Sequence, residues 1–117
     1  MDVSAKLQIK PGQRIATVGM PGDVPAIAGE NAADTPEAAD VVVAFVRSKA
    51  ELATVAVPAI EAARAGRLAW IAYPKAGKLG TDLNRDTLSA ALTGEGVQPV
   101  RQVAIDEVWS ALRFRPA

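Results

Sequence analysis

The sequence contains no cysteine and no histidine. Those two absences remove disulfides, thiolate nucleophiles, zinc sites of the ordinary ligand types and the commonest general base at neutral pH. An enzyme built from this chain works with carboxylates, lysine, tyrosine, serine, threonine or a bound cofactor. A charge of one sign is also missing, because 13 Lys and Arg balance 13 Asp and Glu. No net field therefore draws the surface toward phosphate backbones or anionic lipid, which disfavours nucleic acid as a partner. Long apolar runs are absent too: nothing approaches the roughly 20 residues of a membrane span, and MDVSAKLQIKPGQ has no apolar stretch of signal-peptide length. The expectation is a cytoplasmic protein without metal, membrane or nucleic-acid partners.

What the chain does have is ordinary globular composition, half apolar and 22% charged over 117 residues. That length suits one domain, residues 1–117, with a core of its own.

The apolar segments set the architecture. Lys10-Pro11-Gly12-Gln13 is turn chemistry, and residues 14–19 (RIATVG) form a short β-branched run that stops at glycine, the first strand. Asp23 caps at most a turn or two of helix before Pro25 and Gly29, and residues 30–37 read as irregular. Residues 41–46 (VVVAFV) are apolar without alternation, the pattern of a central strand covered on both faces. Ser48 and Glu51 then form a capping-box pair, and Leu52, Val55, Ala56, Ala59, Ile60 and Ala63 recur at helical spacing with Pro58 among them. This predicts one kinked helix or two short ones in line, ending at Gly66.

Residues 68–73 (LAWIAY) are the third strand, and residues 74–80 its exit loop. Thr81 or Asn84 caps a helix that buries Leu88, Ala91 and Leu92 and stops at Gly94 and Gly96. Residues 97–105 and 108–114 are the last two strands, separated only by Asp106 and Glu107, hence an antiparallel hairpin. Right-handed crossovers put strands 1, 2 and 3 side by side, with the hairpin partner slotting between strands 3 and 4. The expected fold is α/β: a Rossmann-like, mostly parallel five-stranded sheet, order 1-2-3-5-4, strand 5 antiparallel, with helices on both faces.

A capped helix followed by a hairpin whose last strand inserts antiparallel is similar to the second half of class I S-adenosylmethionine-dependent methyltransferases. Residues 39–74 look like their fourth and fifth strands with the helix between. More narrowly, residues 7–12 (LQIKPG), 73–75 (YPK), 81–86 (TDLNRD) and 108–114 (VWSALRF) resemble a bacterial family known as domain of unknown function 3052. The resemblance implies a truncated class I methyltransferase-like Rossmann fold and no particular reaction.

Ligands of open α/β sheets bind beyond the carboxyl ends of the strands, and that rule gathers the candidate residues. Gly19 and Gly22 are either an ordinary turn or a ligand-gripping loop. Between Gly19 and Val41 one crossover fits, but not the further βα units that supply an acidic ribose ligand. Lys75, Lys78 and Arg85 surround the helix start near Thr81, where free N–H groups suit an anion, although Asp82 and Asp86 offer Arg85 local partners. Asp106 and Glu107 in a tight turn point apart into water. Trp109 is a core aromatic or a stacking platform at the same edge, and Trp70 belongs to the core.

The tentative ligand site is thus Gly19, Gly22, Lys75, Thr81, Arg85 and Trp109, with no catalytic residue assigned. The favoured function is a non-catalytic binding or interaction module for a small anionic ligand or a protein partner, needing no cofactor. The alternative is a small-molecule transferase, or a nucleotide- or S-adenosylmethionine-binding protein.

Overall fold

The computed structural model describes residues 6–10, 12–19, 32–75 and 80–117. Five strands form one open sheet: β1 (Ile15–Val18), β2 (Val41–Phe45), β3 (Leu68–Pro74), β4 (Val97–Ala104) and β5 (Trp109–Pro116). Their order is β1-β2-β3-β5-β4. β1, β2 and β3 pair in parallel, while β5 pairs antiparallel with both β3 and β4. Four strands therefore share a direction and β5 is reversed, as the short connection between the last two strands requires.

Two α-helices are described, α1 (Val57–Arg64) and α2 (Arg85–Leu92). The stripe that begins at Leu52 divides because Pro58 is tolerated only in a first helical turn. It yields a 3-10 turn (Lys49–Ala53) and then α1, which has Pro58 at its start. Ahead of the 3-10 turn the expected Ser48–Glu51 capping box does not form. Glu51 accepts the Arg47 N–H, but the Ser48 hydroxyl caps nothing. A distant carboxylate substitutes, for Asp82 Oδ1 accepts the Lys49 N–H at 2.9 Å. At α2, Asn84 and Thr87 make a reciprocal capping box.

Both helices lie on one face. Ala59, Ile60, Ala62 and Ala63 of α1, and Leu88 and Leu92 of α2, pack with Val42, Ala44, Ile71, Tyr73, Leu112 and Phe114 of the sheet. Alternation sends Val41, Val43, Phe45, Trp70, Ala72, Trp109 and Ala111 to the second face. There Leu7 and Ile105 complete a separate buried cluster. The cover of this second face is partly an extended segment, since the Trp70 indole N–H donates to the Leu7 carbonyl at 2.9 Å. Residues 20–31, which contain the short helical turn expected at Asp23, lie outside the described residues.

The hairpin turn differs from the two-residue connection read from the sequence. Ladder pairing ends at Ala104 opposite Ser110, leaving residues 105–108 as the connection. The cause is Asp106, whose Oδ1 accepts the N–H groups of Val108 (2.8 Å) and Trp109 (2.7 Å). A local carboxylate competes with the ladder for those donors, as Asp does in turns. On β4 the register shifts between Pro99 and Arg101, a bulge on the outermost strand, where a proline costs no ladder bond.

Candidate functional site

At the strand-exit edge, where the sequence places the ligand, several of the described residues are engaged by the protein's own groups. Gly19 follows β1 at φ +69, and a Cβ there would sit 2.8 Å from the Phe45 carbonyl oxygen and 3.0 Å from a Val55 methyl. Close packing against the end of β2 is thus enough to require glycine. Thr81 donates its hydroxyl to the Arg47 carbonyl at 2.8 Å and accepts the Leu83 N–H at 3.0 Å. With Asp82 on Lys49, these bonds sew the start of the α2 segment to the exit of β2. The Lys75 N–H donates to the Val108 carbonyl at 2.7 Å.

Trp109 is 1% exposed. Its ring meets Phe45 edge-on at 5.3 Å between centroids, and the Arg47 guanidinium stands 5.7 Å from the ring centre. An internal aromatic and an internal cation thus both contact the ring, which packs as a core residue. Arg85 is exposed at the first turn of α2. Gly22 and Lys78 lie outside the described residues.

Tyr73 ends β3 beneath α2 with its hydroxyl accepting from Gln102 Nε2 at 2.7 Å. Burial raises its pKa from the ordinary 10.0, partly offset by the Gln102 hydrogen bond and the Arg85 charge. A phenol held neutral in this way donates or accepts hydrogen bonds but is no base near neutral pH. Among the described residues, no three acidic side chains converge as a metal site would require.

The open, charged cleft lies at the opposite end of the sheet. Arg101 and Arg113 are directly opposed across the β4–β5 ladder, and Arg115 follows two residues along β5. Strand alternation puts Arg113 and Arg115 on the face of Trp109 and Ala111, and Arg101 shares it as the cross-strand partner of Arg113. With Gln8, Gly66, Val100 and Pro116 they line a cavity of about 480 Å³. A neighbouring cavity of about 300 Å³ shares Gln8 and Arg113 and adds Lys10, Gln13 and Leu68. Among the described residues, no acidic side chain lines either cavity. The side-chain partner of Arg113 is neutral: Nη1 donates to Gln8 Oε1 at 2.8 Å, while Nε is buried without a hydrogen-bond partner.

No protein-family model and no curated protein matches the chain. The chemistry therefore has to be read from the two edges. Among the described residues, Thr81, Asp82 and Asp106 of the first are bonded to neighbouring backbone, and the second concentrates guanidinium groups without a carboxylate. The sequence reading missed this second edge because the turn sets the register. A two-residue turn at Asp106-Glu107 pairs Arg101 with Leu112 and sends it to the helix face. The longer turn moves the pairing by one residue, which exchanges the faces. The alternating Arg113-Phe114-Arg115 was the available signal, since it places two cations on one side of a strand whose other side is core.

Proposed function

We propose that the chain is a non-catalytic binding module for a small anionic ligand, built on a shortened methyltransferase-like, Rossmann-type fold of the kind seen in domain of unknown function 3052. The observation that carries this is the state of the strand-exit edge. Thr81, Asp82, Asp106 and the Lys75 N–H hold neighbouring backbone there, and Gly19 is packed against the Phe45 carbonyl. A site that binds a nucleotide cofactor keeps such donors free for phosphate and ribose. Absence of histidine and cysteine from the sequence points the same way.

A thermal-shift screen against S-adenosylmethionine and adenosine, neither of which carries a phosphate, tests this. The expected result is an unchanged melting temperature. A ligand at 100 times its Kd stabilises by about 2.7 kcal/mol, easily seen in a domain of this size. A shift of that order with S-adenosylmethionine or adenosine would replace the proposal with the alternative, a transferase or a nucleotide- or S-adenosylmethionine-binding protein.

A further inference from the structure

We infer that the cleft lined by Gln8, Arg101, Arg113 and Arg115 binds a small ligand through a diphosphate or an equivalent multiply charged oxyanion group. This rests on the reading of the chain as an anion-binding module, and it assigns that module a site remote from the strand exits.

Opposed like charges in an antiparallel pair destabilise a sheet, so natural ladders usually place opposite charges or apolar pairs there. Here Arg101 faces Arg113 on one surface, with Arg115 beside them. Among the described residues the one carboxylate ion pair is Arg64 with Glu95, on the helix side of the molecule. The three arginines thus repel one another without internal relief, an arrangement that an external anion reverses.

The hydrogen-bonding state of Arg113 is the second, independent sign. Its guanidinium is fixed at one end by Gln8, and its buried Nε lacks an acceptor. A buried donor left unpaired is costly, so the Arg113 guanidinium is short of acceptors where the residue lines the cleft. A guanidinium already held by a neutral amide is also preorganised for binding.

The geometry selects the ligand class. A single carboxylate occupies one guanidinium fork, whereas three forks and Lys10 in the adjoining cavity suit a group with several oxygens and at least two charges. A volume of about 480 Å³ falls in the range of small-molecule sites. Among the described residues the lining has no aromatic side chain on which a base would stack, and the chain carries no net positive charge, so single-stranded nucleic acid is a poor fit.

The test is isothermal titration of the whole chain with inorganic pyrophosphate at constant ionic strength, with chloride as the control anion. Wild type should bind saturably at one site. Arg101→Gln should weaken binding by about tenfold or more, the scale of one charge-assisted hydrogen bond, and Arg101→Glu should abolish it. Lys75→Ala and Arg85→Ala should leave it unchanged. Arg101 is exposed, and Arg101→Glu gives Arg113 a partner, so the free variant should melt no lower than wild type and its loss of binding is not unfolding. Absence of saturable binding by wild type overturns the inference, as does binding that Arg101→Glu leaves intact. Binding lost in Lys75→Ala and kept in Arg101→Glu overturns the site while preserving the binding-module reading. That reading fails separately, through the S-adenosylmethionine and adenosine screen. A single-stranded RNA that displaces pyrophosphate at concentrations below those of pyrophosphate itself would overturn the small-ligand class.

Discussion

Gly19 approaches the Phe45 carbonyl so closely that the smallest side chain would stand 2.8 Å from its oxygen. Two costs coincide for Gly19→Ala: a left-handed backbone and a collision with backbone that cannot swing away. The expected loss is about 2 to 5 kcal/mol in urea denaturation. Gly12 provides the control, since it has φ +85 with nothing near its missing Cβ. Gly12→Ala should cost only about 1 to 2 kcal/mol, the conformational part alone. Equal losses at the two positions would show that the close approach to β2 is not what requires glycine at position 19.

Trp70→Phe should loosen the cover of the second face. The substitution leaves the Leu7 carbonyl without its indole donor and opens space beside a residue that is fully buried. A loss of about 1 to 3 kcal/mol is expected from the unpaired acceptor, plus a packing term. Limited trypsin digestion after Lys6 should accelerate more than cleavage elsewhere. Uniform acceleration along the chain would mean that the indole bond does not specifically hold this segment.

Asp106 sets the hairpin turn by accepting two N–H groups with one oxygen. Asp106→Ala should destabilise by about 1 to 3 kcal/mol, whereas Asp106→Asn keeps an acceptor oxygen and should lose less than half as much. Amide hydrogen exchange at Val108 and Trp109 reads the effect directly. Unchanged protection in Asp106→Ala would assign the turn geometry to backbone bonds alone.

Tyr73 gives a specific pH dependence. Burial raises its folded pKa above the ordinary 10.0, so its contribution to stability is complete below about pH 10. It is lost as pH rises from there through the folded pKa, because the unfolded chain releases the phenolic proton first. Tyr73 is the sole tyrosine in the sequence, so phenolate absorbance follows it without overlap from another tyrosine. Tyr73→Phe should flatten the alkaline end of the stability profile, apart from lysine titration. A native titration midpoint at or below 10.0 would refute the assignment.

Much of the fold was legible because its signals are short-range. The unbroken run of β2 reports burial on both faces, Pro58 reports where the helical stripe divides, and Asn84 reports the start of α2. The strand order followed from crossover handedness and the brief hairpin. The candidate site was less legible, because bonds between remote segments decide it. Nothing local to Thr81 shows that its hydroxyl is used by the Arg47 carbonyl, and nothing local to Ser48 shows that Asp82 caps the turn in its place. Trp109 read more readily as a core or edge aromatic than as a platform, but Phe45 and Arg47, which contact it, are more than 60 residues away in the chain. The faces of β4 depended on a one-residue choice of register made by Asp106.

The position of β5 has a consequence for synthesis. It comes last among the strands in the chain, yet it lies inside the sheet, between β3 and β4. While the ribosome makes the polypeptide, the Ala69–Pro74 edge of β3 waits without its antiparallel partner until residues 109–116 emerge. Phe114 and Leu112, which close the core under the helices, arrive at the same moment. Vectorial growth therefore cannot complete this sheet before residues 109–116 have emerged.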